Sequence, residues 1–311
     1  MKIAYLILAH TDPLQLKRLV TSLYVSDSTF FFIHIDAKQN ICPFQTALQN
    51  IPNCIFIKKR ITVNWGGYSL CMAEKELLKE SIRFNPICDR FILLSGLDYP
   101  LWSNTEMLDE YSKNPNKLYI KAYNLSSINE PKKIPQRIQT YHFRDLSFPN
   151  ATLRKYIIAG LMRMMNVLPI KKKRTIQFDN KIWNIWGGSQ WFNLTRECAI
   201  YVLSVMKNNK CVCKYFKTSL APDELMIQTI IFNSSYKVYA EAFDENGVYP
   251  GLVDTSYTHY IEYNGAQKVF TENDFEKLIM SQKMFCRKIQ TGKSEKLIEL
   301  INKYRSERNG R

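Results

Sequence analysis

Two short, almost continuously apolar runs constrain the fold of this chain more than any other feature. Ile3–Ala9 and Thr29–Ile35 have the length of strands, and their lack of polar alternation is typical of strands buried on both faces of a parallel sheet. Shorter runs at 54–58 and 90–94 predict two more strands. Amphipathic segments lie between these runs, so we expect an α/β fold with a mainly parallel central sheet flanked by helices.

The chain of 311 residues is 46% hydrophobic, which suffices for one large core, and no repeat, low-complexity segment or linker divides it. The remaining pattern predicts helices at 13–23, 69–83, 153–167, 195–206, 272–281 and 294–306, and strands at 117–122 and 237–240. No apolar run reaches the about 20 residues of a membrane span, and the apolar start at 1–9 is too short for a signal peptide.

Polar residues stand where three of the predicted strands end. His10 follows the first strand, Asp36 the second and Ser95 the fourth. Ligands on parallel sheets bind at the carboxyl ends of the strands, so these residues are candidates for a binding site. Each also has a simpler explanation, since His10 alone suits a structural strand end and Asp36 can cap a turn as well as bind a ribose.

Pro222-Asp223-Glu224 begins an apolar segment that we expect to be a buried helix. Proline suits the first helical turn, and the macrodipole favours carboxylates there. A carboxylate held rigidly at the mouth of a buried helix is well placed to act as a general base. The alternative is that both acids only cap and charge the helix start.

The charge balance predicts an anionic partner. Forty-three Lys and Arg residues against 28 Asp and Glu residues leave a formal net charge of +15. The chain has no glycine-rich dinucleotide or phosphate-binding loop, and no Asp-x-Asp pair of the kind that holds a cation on a nucleotide diphosphate; the corresponding turn has only Asp98. Arg287 and Lys288, with Lys268 some twenty residues earlier, could hold a diphosphate without a metal. A solvated basic face is the alternative.

The eight cysteines form no metal-binding or redox spacing. Most of them lie in apolar runs, so we expect free thiols in a cytosolic protein; disulfides, which cannot be paired from the sequence, are the alternative. The basic run at 171–174 follows an apolar helix and is consistent either with contact with an anionic membrane or with an ordinary charged loop.

An aromatic segment at 183–193 is a candidate sugar site. Sugars stack on aromatic rings, so Trp186 and Trp191 are candidates, and Ser189 after two glycines offers a hydroxyl at a place of close approach. The same aromatic residues could equally form part of the core.

Seven motifs in order resemble the core-2/I-branching β-1,6-N-acetylglucosaminyltransferase family, glycosyltransferase family 14, which includes the peptide O-xylosyltransferases. They are Ile-Leu-Ala-His (7–10), Phe-Ile-His-Ile-Asp-Ala-Lys (32–38), Val-Asn-Trp-Gly-Gly-Tyr-Ser-Leu (63–70), Leu-Leu-Ser-Gly-Leu-Asp-Tyr-Pro-Leu (93–101), Gly-Ser-Gln-Trp-Phe-Asn-Leu-Thr-Arg-Glu (188–197), Pro-Asp-Glu (222–224) and Phe-Cys-Arg-Lys-Ile (285–289). The chain departs from the pattern at 258–263, where many members carry an Arg and an Asp-Trp pair.

The resemblance implies a single GT-A-type, Rossmann-like domain over 1–311, with a nucleotide-binding half at 1–122, an acceptor and catalytic half at 123–290 and a C-terminal helix at 291–311. It implies an inverting enzyme with Glu224 as base and no cofactor or metal, in which Lys288 holds the diphosphate of a UDP-sugar co-substrate. We also expect Trp65 of the third motif at the donor site and Asp223 at the acceptor site.

We expect the donor sugar to be N-acetylglucosamine and the acceptor to be a glycan or lipid-linked glycan, with no nucleic acid bound. Unlike the animal members, the chain has no recognisable anchor, which suggests a bacterial cytosolic protein, possible peripheral contact with the inner membrane and a part in surface-polysaccharide synthesis. The alternatives are a xylosyltransferase or other hexosyltransferase, and a non-enzymatic binder of nucleic acid or anionic glycan.

Overall fold

A computed structural model describes residues 1–127, 138–148, 150–168, 170–178, 180–242 and 256–309. In chain order the described helices are α1 (Pro13–Leu23), α2 (Cys42–Leu48), α3 (Tyr68–Arg83), α4 (Asn104–Lys113), α5 (Ala151–Val167), α6 (Arg196–Asn208), α7 (Lys210–Phe216), α8 (Met226–Phe232), α9 (Phe275–Met280) and α10 (Glu295–Asn309). Short 3-10 helices cover Pro222–Glu224, Ser235–Tyr239 and Glu272–Asp274. None of the described helices has the length and apolar composition that a transmembrane span requires.

The described strands are β1 (Ile3–Ala9), β2 (Thr29–Ile35), β3 (Cys54–Phe56), β4 (Arg90–Ser95), β5 (Asp98–Pro100), β6 (Lys121–Asn124), β7 (Thr175–Phe178), β8 (Lys181–Asn184), β9 (Trp186–Gly188), β10 (Asn193–Thr195), β11 (Glu241–Ala242), β12 (His259–Ile261), β13 (Tyr263–Asn264), β14 (Ala266–Gln267) and β15 (Phe285–Arg287). The five-stranded sheet has the order β10-β4-β1-β2-β3, and only β10 runs antiparallel to its neighbour. The predicted α/β class with a mainly parallel central sheet is confirmed.

Strand β1 shows why these runs lack polar alternation. Ala4 and Leu6 face a core layer that includes residues of α3, α6 and α8, whereas Ile3, Tyr5 and Ile7 face a second layer with α1 and α4. Both faces of the strand are therefore buried, and neither tolerates a polar side chain.

A second, three-stranded sheet of order β12-β15-β5 extends from the turn after β4. Strand β15 runs parallel to β12 and antiparallel to β5, with Arg287 directly opposite Asp98. This sheet brings a late segment of the chain to the carboxyl edge of the central sheet.

Some predicted boundaries differ from the structure. The strand expected at 237–240 is the 3-10 turn Ser235–Tyr239, and the strand that pairs with β6 covers only Glu241–Ala242. The strand expected at 117–122 begins at Lys121. The amide of Leu118 donates to the carbonyl of Tyr239 and the amide of Tyr119 to that of Asn193, so these residues do not pair with a single neighbouring strand. All eight cysteines have free thiols, as predicted.

Candidate active site

A cavity of about 350 Å³ opens at the carboxyl edge of the central sheet. Among the residues that line it are most of those predicted from the sequence: His10, Asp36, Trp65, Ser95, Ser189, Trp191, Asp223, Glu224 and Arg287. They come from segments spread over nearly the whole chain. The fold therefore gathers into one place residues that the sequence only suggested separately.

The register of the parallel strands aligns the strand ends at this edge. Ala9 lies opposite Ile35 and Leu8 opposite Ser95, so His10, Asp36 and Ser95 meet at the same edge. The carboxylate of Asp36 also caps a turn, since its Oδ1 accepts hydrogen bonds from the amides of Lys38 at 3.0 Å and Val63 at 3.3 Å. The turn-capping explanation for Asp36 therefore applies, and the residue also lines the cavity.

Arg287 is held in place by two neighbouring side chains, Asp98 and Trp191. Its Nη1 lies 2.9 Å from Oδ1 of Asp98, whose side chain is completely buried. The guanidinium lies over the ring of Trp191, 5.1 Å from its centroid, and that ring stacks on His259 at 4.8 Å. A cation fixed on two sides in this way is preorganised to meet an anion in the cavity.

The buried Asp98 is an acceptor for several groups at once. Its Oδ2 accepts the amide of Ser95 at 2.6 Å and lies 3.1 Å from Nε2 of His259. Burial alone would raise the pKa of Asp98, but the His259 and Arg287 side chains and the Ser95 amide outweigh it and lower that pKa. Burial lowers the pKa of His259 itself, so the ring is neutral and donates Nε2–H to the carboxylate.

The surroundings of His10 show that the cavity is electropositive on this side. Partial burial lowers its pKa, and the charges of Arg287, Lys288 and Lys38 lower it further, against the opposing effect of Asp36. His10 is therefore neutral at pH 7 and is available for hydrogen bonding. Lys38 also lines the cavity, a role that the sequence analysis did not assign to it.

Glu224 lies on a shorter element than the expected helix. Pro222–Glu224 forms a 3-10 turn, and Leu225, at φ −128°, separates it from α8. The turn is fixed at its start, where Ala221 adopts the left-handed region at φ 46° and its amide donates to the carbonyl of Gly66 at 3.0 Å. Asp223 is buried and Glu224 half-buried, and both line the cavity.

With this geometry established, comparison with known proteins identifies the family. The protein-family model for the Core-2/I-Branching enzyme matches residues 3–245. The chain belongs to the core-2/I-branching enzyme family. This agrees with the predicted GT-A-type fold and confirms the resemblance seen in the motifs.

Curated proteins similar to this chain include animal xylosyltransferases. Xylosyltransferase 2 of Mus musculus is 24% identical over 325 residues, covering 97% of this chain and 33% of that protein. Xylosyltransferase oxt of Drosophila melanogaster is 25% identical over 242 residues, covering 76% of this chain and 25% of its own length. The chain thus spans about a third or less of the length of these relatives.

Two solved structures resemble this family member at low sequence identity. Residues 1–349 of S. aureus TarS align with a TM-score of 0.38 and 11% identity, over 79% of this chain and 59% of that one. The 4-diphosphocytidyl-2C-methyl-D-erythritol synthase of Anaerococcus prevotii aligns with a TM-score of 0.38 and 10% identity, over 78% and 86%.

Three of the predicted site residues do not line the cavity of this core-2/I-branching protein. Trp186 packs in the core, stacked on Phe232 at 4.8 Å. The ammonium of Lys268 forms ion pairs with Asp274 at 2.5 Å and Glu262 at 3.9 Å. Lys288 is half-buried beside Arg287, and its charge acts on His10.

Gly188, directly before Ser189, lines the cavity and also serves the fold. A Cβ on Gly188 would collide with the backbone carbonyl of Lys121 on the neighbouring strand β6. The close approach expected of this segment is therefore an approach of two strands.

A buried carboxyl group under the cavity escaped the sequence analysis. Glu74 of α3 is completely buried, and its Oε1 accepts a hydrogen bond from Nε2 of Gln190 at 2.7 Å. Burial, and then the negative charge of Asp223, raise the pKa of Glu74 well above its usual range, so the group is protonated at neutral pH. Gln190 lines the cavity, and Glu74 therefore supports its wall from below.

The hairpin of β13 and β14 supplies two further residues that the sequence did not suggest. Tyr263 and Gln267 both line the cavity. Partial burial and the charge of Glu224 raise the pKa of Tyr263, so its hydroxyl stays protonated near the proposed base.

The loop that carries Trp65 is tied to the segment before α5. Asp145 accepts hydrogen bonds from the amide of Ser69 at 2.9 Å and its hydroxyl at 2.6 Å, which caps the start of α3. The guanidinium of the adjacent Arg144 lies 5.8 Å from the ring centroid of Trp65. Trp65 is 80% exposed and forms part of the cavity rim.

Within the described residues, no group of three or more His, Cys, Asp or Glu side chains is arranged to hold a metal ion. Asp98, the one acid at the turn where a metal-binding pair would stand, directs its carboxylate to Arg287, His259 and Ser95.

Proposed function

We propose that this protein is an inverting glycosyltransferase that moves N-acetylglucosamine from a UDP-sugar to a hydroxyl group of a glycan, without a metal. One observation carries the proposal. A half-buried carboxylate, Glu224, and a fixed guanidinium, Arg287, line the same cavity at the carboxyl edge of a parallel sheet. Membership of the core-2/I-branching family supports it.

The proposed reaction is a single displacement. The acceptor hydroxyl attacks the anomeric carbon and forms the new C–O bond, while its proton passes to the carboxylate of Glu224. The bond from the anomeric carbon to the diphosphate breaks, and UDP leaves with the electron pair from the opposite face. Neutral Tyr263 and protonated Glu74 add no negative charge to the surroundings of this carboxylate.

The positive charge that offsets the negative charge of the departing UDP would come from Arg287, with Lys288 and Lys38 near it. Their combined effect on the pKa of His10 supports an electropositive subsite. Because Asp98 already orients Arg287, binding the diphosphate would require little rearrangement of the protein. We propose that Asp36, His10 and Ser95 hold the nucleoside at the strand ends.

The acceptor side of the cavity would be formed by Asp223, Ser189 and Trp191. Trp191 already contacts His259 and Arg287, so it connects the sugar subsite with the diphosphate subsite. The acceptor we propose is a glycan, either free or attached to a lipid, and the protein would meet a lipid-linked acceptor at the cytoplasmic face of a membrane.

Xylose is the second candidate donor sugar. The similarity to animal xylosyltransferases covers 97% of the chain, which favours a related donor. A few pocket side chains decide between two such sugars. Tyr263, at the end of the segment 258–263 where this chain departs from the family motif, lines the cavity.

Release of UDP tests the proposal. We would incubate the protein in EDTA with UDP-N-acetylglucosamine or UDP-xylose and a panel of glycan acceptors, and measure free UDP. Release from the first donor is the expected result, and release from UDP-xylose alone would favour the second. No release with either donor, combined with steeply salt-dependent DNA binding, would replace the proposal by the anionic-polymer binder.

A further inference from the structure

Helix α5 has an exposed apolar stripe that the proposed reaction does not use. None of its described side chains is buried. Its most exposed apolar residues are Leu153 at 51%, Tyr156 at 71%, Met164 at 48% and Val167 at 80%. Their spacing places all four on one face of the helix. The chain continues with Leu168 and Ile170, which are also exposed.

The charge around this stripe has one sign. Residues 146–178 contain seven Lys or Arg and no Asp or Glu. Lys155 and Arg163 of α5 are exposed, as are Lys171 and Lys173 after it. Lys172 is an exception, since it is buried and donates to the Tyr215 carbonyl at 2.6 Å and the Ser219 hydroxyl at 2.7 Å.

The start of α5 is connected to the cavity rim. Arg154 donates through Nε to the carbonyl of Leu146 at 2.8 Å and through Nη2 to that of Arg144. Arg144 in turn lies over the exposed ring of Trp65. A surface that contacts α5 would therefore lie beside the cavity opening.

We propose that α5 and the exposed residues Leu168, Ile170, Lys171 and Lys173 lie on an anionic membrane surface. The apolar stripe would enter the boundary between headgroups and acyl chains, and the basic side chains would contact the anionic headgroups. Helix α5 forms the main part of this surface, and the exposed residues of the basic run at 171–174 extend it. The membrane contact itself is independent of the proposed function. The further idea that this contact presents the cavity to lipid-linked glycans rests on the proposed function.

Two other occupants fit the surface less well. A second copy of the chain packed isologously on α5 would bring like charges together, because the segment has no acid to neutralise them. Nucleic acid would satisfy the charges but would leave the aliphatic stripe without a partner, since phosphates offer it no apolar contact.

The test is co-sedimentation of the full chain with phosphatidylcholine vesicles, with and without phosphatidylglycerol. We expect binding only to the anionic vesicles, weakened by salt. The double variant Tyr156→Glu, Val167→Glu should lose affinity at least about tenfold. Met280→Glu is the control, because Met280 is 79% exposed but belongs to α9 instead of α5, and it should bind like the wild type.

Equal vesicle binding by the double variant and the wild type would overturn the proposal, as would no binding by the wild type. Lipid-independent dimerisation that the double variant abolishes would assign the stripe to a second copy. UDP binding is measured on all variants in parallel. Unchanged UDP binding with no vesicle binding would reject only the membrane surface, whereas vesicle binding without UDP binding would reject only the proposed reaction.

Discussion

Asp98 and Arg287 form an ion pair of 2.9 Å between a completely buried carboxylate and a guanidinium that reaches the cavity. They also face each other in register across β5 and β15. The turn after a central strand, where metal-dependent sugar transferases hold a cation on acids, here holds an arginine. Asp98 is therefore a positioning residue for the positive charge proposed to bind the diphosphate.

Asp98→Asn should destabilise the protein and weaken UDP binding, although Asp98 does not line the cavity. Removing one partner of a buried ion pair typically costs about 3–5 kcal/mol. We expect UDP affinity to fall by about tenfold, because Arg287 loses its fixed position. Urea unfolding and calorimetry measure the two effects. The control Asp109→Asn removes an exposed carboxylate and should change neither stability nor UDP affinity. If Asp98→Asn were as stable as the wild type, the role assigned to the Asp98–Arg287 ion pair would be contradicted.

The stabilisation by Asp98 should depend on pH in a defined direction. Its folded-state pKa lies below the unfolded value of about 3.9, so the ionised group stabilises the fold above that value. This contribution is lost as pH falls through the folded-state pKa. The difference in unfolding free energy between wild type and Asp98→Asn should therefore be constant near neutral pH and shrink under acid. A difference that grew on acidification would refute this.

Glu224→Gln tests the proposed base. The substitution keeps the size of the side chain but removes the proton acceptor, so turnover should fall about 10²–10⁴-fold while UDP-sugar binding stays within a few-fold. Steady-state UDP release and calorimetry separate these effects. Glu299→Gln, on the exposed face of α10, is the control and should keep full turnover. Near-wild-type turnover by Glu224→Gln would reject Glu224 as the base.

Glu74→Gln should be close to neutral for activity, because the amide replaces a carboxyl group that is already protonated. Its effect on stability should vary with pH. The folded-state pKa of Glu74 is raised, so the wild type loses stability relative to the variant as pH rises above the unfolded value of about 4.3. Unfolding free energies at pH 4 and pH 7 measure this. If Glu74→Gln instead lost stability relative to the wild type between pH 4 and pH 7, Glu74 would be ionised in the folded protein.

Lys172 should change the stability of the protein with pH in the direction opposite to that of Glu74. Burial lowers its pKa from 10.5 to about 7, so between these values the unfolded chain binds a proton that the folded one does not. Wild-type stability should therefore rise with pH across this window. Lys172→Met should lack this rise, whereas the exposed neighbour Lys171→Met should keep it. Equal pH profiles for Lys172→Met and wild type would show that Lys172 stays charged.

The sequence predicts the site where local pattern and sheet geometry act together. Buried parallel strands end at one edge, so His10, Asp36 and Ser95 could be placed together without any long-range information. The sequence also indicates the acids of Pro222–Glu224, although they lie on a separate 3-10 turn held by the hydrogen bond from the Ala221 amide to the Gly66 carbonyl. That bond joins distant segments and leaves no local pattern.

Other parts of the site depend on tertiary packing alone. In the sequence, Glu74 does not differ from other acids of an amphipathic helix. Its burial and its hydrogen bond with Gln190 arise only when α3 packs against the rest of the fold. Lys268 precedes the basic motif at a suitable spacing, yet Asp274, six residues on, forms an ion pair with its ammonium. Trp186 and Trp191 are alike in sequence, but one stacks in the core and the other under Arg287. Such differences arise from neighbours that spacing does not specify.

Calorimetric titration of UDP-N-acetylglucosamine in EDTA tests the central claim most directly, with UDP-xylose and UDP alongside. The account predicts that one UDP-sugar binds without metal and that Arg287→Met weakens this binding by at least about tenfold. Binding that appears only when Mn²⁺ is added, and that Arg287→Met leaves unchanged, would contradict a diphosphate site built on Arg287.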